Sequence, residues 1–284
     1  MRSRGRYLAL APGLLLFAAI LYPFLTGVFW AFSKVGADGQ ATFVGLANFQ
    51  NLFLSGGPGL KGLWATVVYA AVAVSVQIGL GTVVALALTH GARWTKWFRP
   101  LIVTPLLLPP VVATIMWKVM MVDRGVLNSF VEAVTGYRVN WLGSPTSAFW
   151  SVVMIESWIY TPFVILILLA GLQSIPEEVL EAARTDGANR LQIVRHITLP
   201  LLRPFIILVL VFRGIDELKS FEVIWSATQG GPIDTLRTLH VYGYQYAIQY
   251  LKFGDSLTFL LVLWVLCYGL AWFLLRLRRA SALG

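Results

Sequence analysis

The segment EAARTDGANRLQIVRHITLP, residues 181–200, is the most polar stretch of a chain that is otherwise largely apolar. It lies between two apolar runs, 149–172 and 204–221. A helix rises about 1.5 Å per residue, so about 20 such residues cross a hydrocarbon core of about 30 Å. Working outward, four more runs of this kind occur at 7–32, 63–89, 100–121 and 256–277. The expected fold is therefore all-α: a polytopic membrane protein with six transmembrane helices. Composition agrees, because 58% of the 284 residues are hydrophobic and only 12% are charged, against about 25% in soluble domains. The net charge of +9 would suit nucleic acid only if it formed a basic face on a soluble module. Here the basic residues sit between apolar runs, so membrane lipid is the expected surrounding and nucleic acid is not an expected partner. Cys267 is the only cysteine, which excludes an internal disulfide and a cysteine metal cluster.

Two runs are irregular. The third contains Pro105, Pro109 and Pro110, and the fifth is interrupted near its end by Arg213, Asp216, Glu217 and Lys219. In lipid such breaks survive where neighbouring helices or a water-filled cavity satisfy the freed polar groups.

Orientation follows from the lysines and arginines. Thirteen fall at the N-terminus (Arg2, Arg4, Arg6), in the second connection (Arg93, Lys96, Arg99), around the polar segment (Arg184, Arg190, Arg195, Arg203) and at the C-terminus (Arg276, Arg278, Arg279). The opposite loops hold six, and Lys118, Arg213 and Lys219 lie in or at the ends of runs. Both termini and the polar segment of this multi-pass membrane protein are thus expected in the cytoplasm. Residues 33–62 and 222–254 are expected outside, turning at Gly56–Gly59 and Gly230–Pro232. The first run exceeds a signal-peptide core of about 7–15 residues and no A-x-A site follows it, so it reads as a retained span.

Within the segment 174–200, Ser174-Ile175-Pro176-Glu177 reads as a helix start: serine as N-cap, proline in the first turn, glutamate closing a capping box. Ile175, Val179, Ala182 and Ala183 then recur at helical spacing and predict one apolar face. Gly187 suits a sharp reversal. A second short helix over 189–197 is expected, stopped by Pro200 and Pro204. Such a pair of helices fits an interfacial hairpin that caps the bundle or a surface that another protein approaches closely through small alanines.

The residue identities go further. Glu181-Ala182-Ala183, then Asp186-Gly187-Ala188, then Ile197-x-Leu199-Pro200, resembles the EAA loop of ATP-binding cassette (ABC) importer permeases. Val194 departs from that pattern, which usually has an aromatic there. The resemblance implies a cytoplasmic loop that docks into a separate ATPase subunit through Glu181, Ala182, Ala183, Asp186, Gly187, Ala188, Ile197, Leu199 and Pro200. Four further blocks resemble the carbohydrate-uptake, maltose- and trehalose-type branch: FVGLANF (43–49), TPLLLPPVVATIMWKVMMVDRGVLN (104–128), WIYTPFVILILLAGLQSIPEE (158–178) and TQGGPIDTLRTL (228–239). The last two favour the maltose F-type half of the permease pair. Gln229 and Glu222 depart from the branch, which usually has glycine and aspartate there. The resemblance implies that residues 1–284 form a single transmembrane domain, in the inner membrane, of a binding-protein-dependent sugar importer. Its implied partners are a second homologous permease, two copies of an ABC ATPase and an extracytoplasmic sugar-binding protein.

FRGIDELKSFEVIW (212–225) sets charges late in the fifth run, where they usually turn toward a bundle interior or an aqueous cavity. Arg213 and Asp216 are i, i+3 and fit an ion pair on one helix face. That pair reads either as a self-neutralising structural bridge or as part of a sugar path with Lys219, Phe221, Glu222, Trp225, Glu156, Trp158 and Tyr160. In the second reading polar groups meet hydroxyls and aromatic faces meet the sugar ring. No G-x-x-x-x-G-K-[ST] occurs, so ATP phosphates have no cradle here. No catalytic motif or metal-ligand pattern is present either. No catalytic residue, metal or cofactor of its own is therefore expected, and ATP hydrolysis is assigned to a separate subunit. The competing readings are an ABC permease for a non-sugar solute and a secondary transporter; the latter usually carries internal repeats, and none is visible here.

Overall fold

Apolar run length and proline position together decide where the helices lie. The structure, a computed structural model, describes residues 2–36, 39–89 and 100–282. Arg93, Lys96 and Arg99, used above for orientation, lie outside the described residues. Among the described residues, five helices are long and apolar enough to cross a membrane: Pro12–Ala31, Gly59–Thr89, Pro145–Gln173, Arg190–Leu218 and Phe253–Arg276. These are the first, second, fourth, fifth and sixth spans. The third run is split into Pro100–Leu107 and Pro110–Met120, bent by 102°. Leu108 and Pro109 each precede a proline, which disfavours the helical region, and both are extended with ψ of 137° and 131°.

The chain divides into two units. The first joins residues 1–63 to 238–265. Its first helix, Arg2–Ala31, ends in a two-stranded hairpin, Ser33–Val35 against Ala41–Phe43, with Ser33 opposite Phe43. A helix end leaves carbonyls without an internal partner. Here Asn48, itself buried, donates its side-chain amide to the carbonyls of Ala31 and Ser33, both at 3.0 Å, and Thr258 Oγ1 donates to Ala31 as well. Fully buried Phe259 stacks on Tyr242, with Phe53 and Tyr246 against its other sides.

The second unit joins 64–237 to 266–284 and holds every residue singled out above for the cytoplasmic loop, whose reversal at Gly187 makes an elbow, and for the sugar path. Its centre is the fourth span. Ser144 caps that helix in a capping box with Ser147, and Pro145 occupies the first turn, where its missing N–H costs nothing. Of the fourth span's apolar window 61% is buried, against 6% for the first span. Val164, Ile165, Leu168 and Leu169 pack against Ala85 of the second span and Val209 of the fifth. Inside a bilayer little water remains to be expelled, so such contacts hold by van der Waals packing at close approach. Gly81 shows how close: a Cβ there would overlap the Val164 side chain.

The polar segment differs from expectation in three ways. Ser174 does not cap the next helix. Its hydroxyl donates to the Gly171 carbonyl at 2.7 Å, meeting an orphan carbonyl at the end of the fourth span, and Pro176 stands before Glu177–Thr185 without a side-chain cap. A capping box does form further on, between Asn189 and Gln192. Second, the expected apolar face is incomplete: Ala183 is buried and Ile175 half-buried, but Val179 and Ala182 are exposed, and Leu180 turns inward instead. Third, Pro200 and Pro204 stop nothing. Helix runs on from Arg190 to Leu218, because a wide turn at Val194–Thr198 carries the Leu199 N–H to the Val194 carbonyl and absorbs the proline. The fifth span therefore begins before 204 and ends at Leu218, leaving Phe221 beyond it, ahead of the helix Glu222–Thr228.

Candidate substrate path and coupling elbow

Residues 213 and 217 are one turn apart on one face of the fifth span, and Ser220 lies just past its end at Leu218. That face meets 156 and 160 of the fourth span and 69 and 77 of the second. Arg213, only 3% exposed, is the hub. Its Nε donates to Gln77 Oε1 at 3.0 Å, and its Nη2 donates to Glu217 Oε1. The same guanidinium lies 4.0 Å from Glu156 Oε1 and 4.0 Å above the Tyr160 ring. Gln77 returns its amide to Glu217 Oε1 at 2.7 Å. Tyr69 and Ser220 each donate a hydroxyl to Glu156, both at 3.3 Å. Two carboxylates thus share one guanidinium in a setting without bulk water, and Glu217 Oε2 is left buried with no partner.

The pair expected from sequence is the outer part of this arrangement. Arg213 Nη1 lies 3.6 Å from Asp216, but Asp216 is half exposed and also bridges Lys219 at 3.3 Å. Phe221 and Trp225 stack at 5.7 Å just past the span end, and Glu222 beside them is exposed. Trp158 is not on the polar face. It meets Trp117 edge-on in an apolar crevice behind the bent third run.

The expected path left out Glu217, noted only as an interruption of the fifth run, and also Gln77, Tyr69 and Ser220. Glu217 had a signal, being i+4 from Arg213, the better ion-pair spacing on a helix. Gln77 also had one, as a lone amide in an otherwise apolar span. Tyr69 and Ser220 had none, since a tyrosine or serine in a span is commonly a packing residue.

The elbow is built by backbone. Gly187 has φ of +80°, a conformation that side chains disfavour. Its N–H reaches the Arg184 carbonyl, and the Ala188 N–H reaches Ala183 at 3.0 Å. These two bonds form a Schellman closure of the helix Glu177–Thr185. Glu181, Ala182, Asp186, Gly187 and Pro200 are exposed, Ala188, Ile197 and Leu199 are half-buried, and Ala183 alone of the motif is buried.

Residues 77–281, well over half the chain, match the family model for binding-protein-dependent transport system inner membrane components. A probable ABC transporter permease protein of Sinorhizobium fredii is 36% identical over 275 residues, spanning 93% of this chain and 86% of the relative. The trehalose/maltose transport system permease protein MalF of Thermococcus litoralis is 34% identical over 268 residues, spanning 90% and 89%. The fold matches a chain from the crystal structure of a bacterial ABC transporter that imports the acidic polysaccharide alginate. The TM-score is 0.85 at 22% identity, over 98% of this chain and 96% of that one. The chain therefore belongs to the binding-protein-dependent ABC permease family, as a multi-pass inner-membrane component.

Proposed function

We infer that the chain is one half of the transmembrane path of an ABC sugar importer. The observation that carries the sugar reading is similarity along nearly the whole chain to a trehalose/maltose permease. All 284 residues act as one transmembrane domain beside a second, homologous permease. An extracytoplasmic binding protein delivers the sugar, and two ATPase copies supply the work. ATP is hydrolysed on those subunits and not on this chain. The buried cluster around Arg213 lines the path: Glu217 Oε2, an acceptor without a donor, suits a sugar hydroxyl, and the Phe221–Trp225 stack offers aromatic faces for a ring. The elbow grips the ATPase through exposed Glu181, Ala182 and Asp186, with Gly187 holding the turn. The test is uptake in cells lacking this chain. Loss of uptake for one radiolabelled sugar, with phosphate and amino-acid uptake intact, is the expected result; intact sugar uptake with loss of an amino acid or phosphate overturns the sugar assignment.

The termini and residues 173–203 are cytoplasmic, and 33–62 face outward. In a Cys267→Ala background, an impermeant thiol reagent added to intact cells with a permeabilised outer membrane labels Ser55→Cys and spares Ser174→Cys. Equal labelling of the two sites contradicts this orientation.

A further inference from the structure

Where the elbow meets the ends of the second, fourth and fifth spans, a cavity of about 310 Å³ opens. At about 30 Å³ per water it has room for roughly ten. Part of its wall is apolar, Leu86, Leu172 and Ile193 among it, and Arg184, Arg190, Thr89 and Thr198 are polar. Neither arginine has a carboxylate within ion-pair distance among the described residues. The elbow's own acids, Glu177, Glu178, Glu181 and Asp186, are exposed and lie outside this lining. Both arginines are exposed residues that border one cavity, and with no carboxylate paired to them among the described residues they offer an anion two guanidinium groups. The guanidinium fork matches phosphate oxygens. The apolar wall at a span end calls for a hydrocarbon portion on the same molecule, and basic pockets between helices at a membrane surface hold anionic headgroups.

We propose that this cavity binds the phosphate of an anionic phospholipid, held by Arg184 and Arg190 with its glycerol and acyl portion against Leu86, Leu172 and Ile193. The site joins the elbow to three spans, so lipid occupancy bears on how firmly the elbow is held. It stands apart from the sugar assignment, and it lies within the same loop as the proposed ATPase contact. Both arginines lie outside the motif residues assigned to that contact.

The test uses the purified full-length chain in micelles doped with phosphatidylglycerol, with bound lipid counted by native mass spectrometry. Wild type retains phosphatidylglycerol over phosphatidylcholine. The Arg184→Gln/Arg190→Gln variant loses roughly tenfold or more in occupancy, while Arg184→Lys/Arg190→Lys, which keeps the charge but not the fork, falls between the two. Arg203→Gln, outside the cavity, changes nothing. Thermal unfolding of each variant checks folding, and if the glutamine pair is unstable, each single Gln variant replaces it in the comparison. Equal occupancy in wild type and the glutamine variants overturns the site. An equal loss in Arg203→Gln reduces it to general surface charge and overturns it too. Displacement of the lipid by millimolar inorganic phosphate assigns the arginines to free phosphate and overturns the lipid.

Discussion

The two polar regions of this chain solve opposite problems. Around Arg213, charge is buried and its partners come from three spans: Gln77 from the second, Glu156 from the fourth, Glu217 from the fifth. At the elbow, the acids are exposed and form no ion pair among the described residues; the shape rests on backbone bonds and one left-handed glycine. In the first region side-chain chemistry holds the structure, so removing one charge strands another. In the second the backbone holds the structure, and the side chains are available to a partner. The same residue type, glutamate, is buried against a cation at 217 and exposed at 181.

The sharpest way to break this comparison is at the buried pair. Arg213→Gln alone leaves Glu217 and Glu156 without their cation, which costs about 3–5 kcal/mol for a buried pair broken on one side. Membrane abundance and thermal unfolding should fall steeply. Replacing the cation together with both carboxylates, Arg213→Met with Glu217→Met and Glu156→Gln, should recover much of that stability while uptake stays lost. If the triple variant transports normally, the cluster is scaffold only and not part of the path.

At the elbow the expected effect is smaller and of another kind. Gly187→Val forces a β-branched residue into φ near +80°, at a cost of about 1–3 kcal/mol confined to the loop. Permease abundance should hold while co-purified ATPase, or its stimulation by loaded binding protein, falls. Ala182→Leu introduces no strain, since Ala182 is exposed, and should lose ATPase capture at wild-type unfolding temperature. Normal capture and stimulation in both variants would remove the elbow as the grip.

The smallest effect belongs to Asp216→Asn. Asp216 is half exposed and its pairs with Arg213 and Lys219 are long, at 3.6 and 3.3 Å, so stability should change by about 1 kcal/mol or less. An unfolding shift as large as that of Arg213→Gln would move the buried boundary of the cluster outward to Asp216.

Much of this was legible from residue order alone. Span number, the all-α class, the irregular third and fifth runs and the turn at Gly187 each follow from local properties: run length, proline geometry and the steric freedom of glycine. Family membership was legible too, since motif spacing is a linear pattern. The partners of Arg213 were legible only in part. Sequence spacing exposes neighbours at i+3 and i+4 on one helix, and both Asp216 and Glu217 fit; only packing decides which of the two is buried. Gln77 and Glu156 lie 136 and 57 positions away in the chain, and no local pattern reports that three helices bring them together. The same holds at the two proline sites. Sequence rules place a stop at Pro200, but a wide helical turn upstream removed the need for one, and the helix continues into the fifth span. Local sterics act within a few residues and can be read from the chain; burial and pairing are set by which faces meet, and that was decided by the tertiary structure.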